Sequence, residues 1–322
     1  MMKKIWMDLP KIDLHCHLDG SLTLGNISRV LGRKVEAEEV QVSKDCQSLS
    51  EYLTKFNIPL QCLQSYEGLR DGTKECIEAL EKDHIRYVEL RFAPALSVNE
   101  NLQIPDVMEA VLEGAREAKK KTGIESQFIV CAMRHHSCDM NMKMLKQVRM
   151  YLKNGVCAAD LAGDEASFPM NQFQELFEYA KKLDYPFTIH AGETGNAENI
   201  KQAVELGASR IGHGIAMKGR ADIQRLCRER HIGIEMCPTS NMQTKAVDDL
   251  QNYPLREFLE KGLCVTVNTD NRTVSHTSMT NELAIVSDKL QFTEEEIYQL
   301  MKNAIEVSFA SGNQKEKLMR MI

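Results

Sequence analysis

Along this chain, short apolar runs of strand length alternate with longer stretches in which apolar positions recur every three or four residues. The first run, Ile12-Asp13-Leu14-His15-Cys16-His17-Leu18-Asp19-Gly20, reads as a short strand ending in a turn. Seven more follow at Ile85–Phe92, Phe128–Met133, Val156–Leu161, Pro186–His190, Arg210–His213, Ile232–Met236 and Cys264–Asn268. Helical stripes separate them. Pro105 opens one carrying Met108, Val111, Leu112, Ala115 and Ala118; another is expected near Met144–Leu152. Phe173, Leu176, Phe177, Ala180 and Leu183 mark a third, Ile200, Ala203 and Val204 a fourth, and Ile223, Leu226 and Cys227 a fifth. Leu255, Phe258 and Leu259 precede a stop at Gly262.

Many of the strands are apolar throughout instead of alternating, which predicts a parallel sheet buried on both faces. Eight β/α units over roughly 250 residues predict a closed α/β (β/α)8 barrel, the TIM architecture. The polar stretch from about Ser21 to Leu80 is longer than one crossover needs, so extra helices are expected over a strand end. In it, Leu49, Leu53, Phe56, Leu60 and Leu63 are read mainly as core packing, with one or two facing a pocket. The last thirty or so residues form closing helices. With no linker or low-complexity segment, residues 1–322 are expected to form a single domain.

Composition narrows the function classes. A formal net charge of −6 argues against nucleic acid as the main partner. The run Lys119-Lys120-Lys121 is the solvated last turn of a helix, where cations oppose the helix dipole. Ten cysteines without a Cys-x-x-Cys spacing suit reduced thiols in a cytoplasm better than a disulfide framework. Neither a signal-peptide core nor an apolar run of about 20 residues is present, so no membrane partner is expected. Asn26-Ile-Ser and Asn271-Arg-Thr match glycosylation sequons, idle in such a location.

The chemistry gathers at strand ends. In a strand, His15 and His17 share a face while Cys16 takes the other. Alone, that pair is most simply two satisfied histidines. However, strand 4 ends in Asp160-Leu-Ala-Gly163-Asp164-Glu165, strand 5 in His190-Ala-Gly192-Glu193, strand 6 in Gly212-His213-Gly214 and strand 8 in Asp270-Asn271. Four of the nine histidines therefore lie where a barrel carries its active site. His15, His17, His190 and Asp270 supply three nitrogens and one oxygen, a set that suits zinc with a position left open for water. Glu193 is close enough to His190 to donate a proton without being a ligand. His213 could orient or deprotonate the water. Arg134-His135-His136 has a surface or structural role at least as readily as a substrate contact, and Glu89 with Arg91 is read as a same-face ion pair.

The motifs HCHLDGS, VELRFAP, DLAGDE, TIHAGE, IGHG, EMCPTSN and VTVNTDN, in this order, cover nearly the whole chain. In them the chain resembles the adenosine deaminase family of the metal-dependent amidohydrolase barrels. The resemblance implies one zinc per chain on His15, His17, His190 and Asp270. It implies Glu193 protonating purine N1, His213 handling the attacking water, the Gly163 N–H at N3 and Asp19 at the ribose 5′-hydroxyl. The implied reaction is hydrolysis of adenosine and 2′-deoxyadenosine to the inosine form and ammonia, in purine salvage. At the end of strand 8 the family usually reads Asp-Asp-Pro, whereas this chain has Asp270-Asn271-Arg272, which touches the expected contact to N7. Alternatives are a deaminase of adenine or 5′-methylthioadenosine, or a zinc- and nucleoside-binding barrel without turnover. Adenine deaminases of this group tend to carry Glu where this chain has Asp19. The His-x-Glu and Pro-Cys-x-x-Cys signature of cytidine-type deaminases is missing, as are the Walker, Gly-x-Gly-x-x-Gly and Gly-x-Ser-x-Gly motifs.

Overall fold

The computed structural model of the chain describes residues 4–194 and 196–322. Lys3, part of the terminus read above as no signal peptide, lies outside them. Eight strands form in the expected order: β1 (Lys11–His17), β2 (Ile85–Phe92), β3 (Glu125–Met133), β4 (Val156–Ala162), β5 (Thr188–Ala191), β6 (Arg210–His213), β7 (Gly233–Met236) and β8 (Cys264–Val267). They pair in parallel as two four-stranded runs, β1-β2-β3-β4 and β5-β6-β7-β8. Hydrogen bonds across the two seams close the barrel. Ala159 N donates to Pro186 O at 3.0 Å between β4 and β5. Between β1 and the turn after β8, Asp270 N donates to His15 O and His17 N to Asp270 O, both at 2.7 Å.

The strands bury both faces in different company. Val88 and Leu90 of β2 join the hydrophobic shell between barrel and helices. Glu89 and Arg91 turn into the barrel, where both are fully buried. They do not form the ion pair expected of them. Arg91 donates to Asp160 (2.9 Å), Glu235 (2.8 Å) and the Leu14 carbonyl (2.6 Å), whereas Glu89 accepts from Arg210 at 2.5 Å. Residues two apart on one strand lean the same way. The curvature of a closed barrel brings strands 4, 6 and 7 nearer to their charged ends.

The helices follow the predicted stripes, with two corrections. The helix expected at Met144–Leu152 spans Cys138–Val148, started by Ser137, whose side chain accepts from Met140 N. A helix at Pro238–Gln243 follows β7, too short for its periodicity to be read. The run Lys119–Lys121 does close the helix Ile104–Thr122. All ten cysteines are free, eight of them buried. Asn26 and Asn271 are buried too, so neither sequon is open to a glycan. Among the described residues no helix is long and apolar enough to cross a membrane.

Over the strand ends lie the extra helices, including Leu49–Leu53 and Asn57–Cys62. Here Leu49, Leu53, Phe56 and Leu60 line the central cavity, and only Leu63 is core. More of this stripe faces the cavity than expected, because its helices are short and interrupted and turn one edge inward. Tyr52 ties the cover down through its hydroxyl, 2.6 Å from Ser275 Oγ beyond β8.

Candidate active site

A cavity of about 320 Å³ opens at the C-terminal ends of the strands, within the usual range of roughly 300–1,000 Å³ for small-molecule sites. His17, Asp19, Gly163, His190, Glu193, His213, Asp270 and Asn271 all line it. His15 sits just beneath, fully buried. The ring of His15 fits because β6 carries Gly212, where a Cβ would come within 3.0 Å of His15 Cε1.

Carboxylates behind the rings decide which nitrogens face the cavity. A carboxylate can only accept, so the contact of 2.8 Å between His15 Nδ1 and Glu235 Oε2 puts the proton on Nδ1. His190 Nδ1 is held in the same way by Asp160 at 2.9 Å. That leaves each Nε2 free toward the centre, and His15 Nε2 is buried there without a partner. His17 Nε2 stands 3.2 Å from His190 Nε2, and Asp270 Oδ1 is 3.4 Å from both His15 Nε2 and His17 Nε2. Burial pushes His15 down to about 4 and His17 well below its ordinary range, so both hold an open lone pair. Burial alone would lower His190 too, but Asp160 outweighs it and lifts it.

Among the described residues two groupings of three have mutual metal-ligand spacing, His15 with His190 and His213, and His15 with Cys237 and Asp270, each sharing two members with the set of four. Their extra members have other partners. Asn241 Oδ1 accepts from Tyr253 Oη and Cys237 N, so its amide nitrogen is the end that meets His213 Nδ1, at 3.0 Å. The proton of neutral His213 is thereby placed on Nε2. Cys237 is kept a thiol by burial, and its Sγ donates to Glu235 O at 3.6 Å.

Charge supports a cation among His15, His17, His190 and Asp270. Glu89, Asp160 and Glu235 are buried carboxylates paired with the guanidinium groups of Arg91 and Arg210. Asp270 is buried too, but among the described residues its basic partners are the imidazoles of His15 and His17 alone; a cation there would neutralise it, and an uncompensated buried charge is costly. The donor set of imidazole and carboxylate suits zinc.

The strand-end loops hold strained conformations. His213 and Asp270 have φ of 66° and 58°, which costs about 1–3 kcal/mol apiece for a residue with a Cβ. Two 2.7 Å bonds to β1 pin Asp270 in place. Glu193 Oε2 lies 3.6 Å from His213 Nε2, and burial raises its carboxyl, against the pull of His213. Burial also raises Asp19, to about 6. Asn271 turns Oδ1 toward Gly20, where a Cβ would stand 1.9 Å from it, so only glycine fits there.

The cavity thus brings together every residue expected from the sequence, with His15 directly below it. The sequence left Glu235, Asn241 and Glu165 without a role, and assigned Arg134-His135-His136 a surface or structural one as readily as a substrate contact. Arg134 is buried and donates to the His190 and Phe168 carbonyls at 2.6 and 2.5 Å, whereas its neighbour His135 lines the cavity. Glu235 had a readable signal: a lone acid inside the apolar run Ile232–Met236.

The adenosine deaminase family model matches residues 10–322. The adenosine deaminase of Enterococcus faecalis is 39% identical over 323 residues, covering 98% of this chain and 96% of that protein. Among solved structures, the adenine deaminase of Arthrobacter aurescens superposes with a TM-score of 0.89 at 24% identity, covering 97% of this chain and 98% of the other. The Arabidopsis N6-mAMP deaminase reaches 0.89 at 26% identity, covering 99% of both chains.

Proposed function

Because the chain belongs to the adenosine deaminase family and catalyses hydrolytic deamination of adenosine, we propose that it does so with one zinc ion held by His15, His17, His190 and Asp270, with Glu193 as proton donor. When bound, zinc lowers the pKa of a water toward about 7 and so makes a nucleophile available at neutral pH. Glu193, raised by burial, gives its proton to purine N1. That draws electron density from C6 and opens it to attack. His213 presents N–H at Nε2, because Asn241 occupies its Nδ1. This favours orienting the attacking water over deprotonating it. The Gly163 N–H meets N3, Asp19 accepts from the 5′-hydroxyl, and the Asn271 amide nitrogen, the end turned from Gly20, donates to N7.

The convergence of four ligand atoms beside the Glu193–His213 pair carries this reading. The cavity also favours a nucleoside, 2′-deoxyadenosine included, over a nucleotide. Among the described residues no Lys or Arg lines it, and Asp19 and Asp164 would repel a 5′-phosphate. Asp19 likewise suits a hydroxyl better than a thioether.

The test uses adenosine, adenine and 5′-methylthioadenosine, followed by ultraviolet absorbance, with adenosine expected to turn over fastest. Glu193→Gln should keep its metal and lose about 10²-fold or more in kcat. A variant that loses its metal yet keeps its rate per bound ion would make Glu193 a ligand and overturn these roles.

A further inference from the structure

Glu165, the last residue of the DLAGDE motif, sits against the loop after β5. It is 3% exposed. Its carboxylate accepts from three successive backbone N–H groups: Gly192 at 2.7 Å, Glu193 at 3.0 Å and Thr194 at 3.4 Å. Thr194 Oγ1 and the Asn199 amide add contacts at 3.4 and 2.6 Å. These bonds are charge-assisted, and so roughly twice as strong as neutral ones. One acid from the β4 loop thus holds the backbone that carries Glu193.

The Glu193 side chain has little else to fix it. Among the described residues the one basic side chain within 4 Å of its carboxylate is His213, at 3.6 Å. Its aim therefore depends on the backbone at 192–194. Gly192 has φ of 72°, and a Cβ there would come within 2.4 Å of Ile200. Gly192 O also accepts from Ala216 N at 2.8 Å. The loop is tied from both sides, and Glu165 supplies the tie at the residue whose side chain reaches N1.

We propose that Glu165 is a positioning residue that sets the reach of Glu193 toward N1 through the backbone N–H groups of 192–194. The proposal rests on the role given to Glu193 above. Proton transfer is steep in distance and angle, so a small displacement costs far more in rate than in ground-state binding. Glu165→Gln keeps the volume but turns one oxygen into an amide donor facing N–H groups.

A double-mutant cycle with the zinc-loaded enzyme on adenosine tests this. Glu165→Gln is expected to lower kcat by about 10–100-fold, with KM within about twofold and zinc content unchanged. In a Glu193→Gln background the same change should cost less than about twofold, since there is no proton donor left to aim. An equal loss in both backgrounds would mean that Glu165 only supports the fold, and no loss in the first would overturn the proposal outright. If Glu193→Gln alone keeps its rate, the role of Glu193 has failed instead, which separates the two readings. Asn199→Ala, which removes one donor from Glu165, gives the same cycle should Glu165→Gln not fold. A loss of several-fold is expected, confined to the background with Glu193 intact.

Discussion

Replacing Glu235 by Gln tests the buried charge network beneath the site. The carboxylate serves four donors: His15 Nδ1 and Arg91 Nη2 at 2.8 Å on one oxygen, Arg210 Nε at 2.6 Å and Thr188 Oγ1 at 2.9 Å on the other. Glutamine has nearly the same volume, so no cavity opens and the effect is electrostatic. One oxygen becomes an NH2 group, and whichever side it faces meets a guanidinium and a second donor. A hydrogen bond to a charged group contributes about 1.5–3 kcal/mol, so losing two costs about 3–6 kcal/mol. Breaking a buried ion pair from one side costs about the same. The variant also loses the acceptor that keeps the His15 proton on Nδ1, which should weaken metal binding by about 10–100-fold. Urea unfolding of metal-free wild type and variant measures the first effect, and zinc titration against a competing chelator the second. A variant within about 1 kcal/mol of wild type that also binds zinc as tightly would show that the network neither holds the barrel nor sets the His15 tautomer.

Asn271→Ala should abolish most of the enzyme's preference for adenosine over 7-deazaadenosine. In wild type, an amide left facing a carbon in place of N7 costs roughly 1–3 kcal/mol, read as a ratio of kcat/KM values. Loss of rate by one factor on both substrates would remove Asn271 from N7. Glu282 supplies a pH signature, since burial pushes its carboxyl up to about 7 although Thr239 and Thr277 donate to it. The folded state therefore binds this proton more tightly than the unfolded state. Its contribution is most favourable below about 4.5 and is lost as pH rises toward 7. Relative to Glu282→Gln, wild type should lose about 3 kcal/mol between pH 4.5 and 7.5, by denaturant unfolding at each pH. A pH-independent difference would refute the raised value.

The order of the strands and the faces of most helices were legible in the sequence because they arise from local periodicity. Met108, Val111, Leu112, Ala115 and Ala118 must share a face on any α-helix, and all are buried. The residues of the site were legible because a β/α barrel places every strand end on one rim. His15, His17, His190 and Asp270 were therefore neighbours as soon as the architecture was. What the sequence could not contain was partnership across the barrel. Glu89 and Arg91 are two apart in the chain, yet each pairs with residues on other strands. The separations of Arg91 from Asp160, of His15 from Glu235 and of Glu165 from Glu193 are 69, 220 and 28 residues. Coulomb attraction and hydrogen bonding act over a few ångströms of space, so only closure of the barrel decides which donor meets which acceptor.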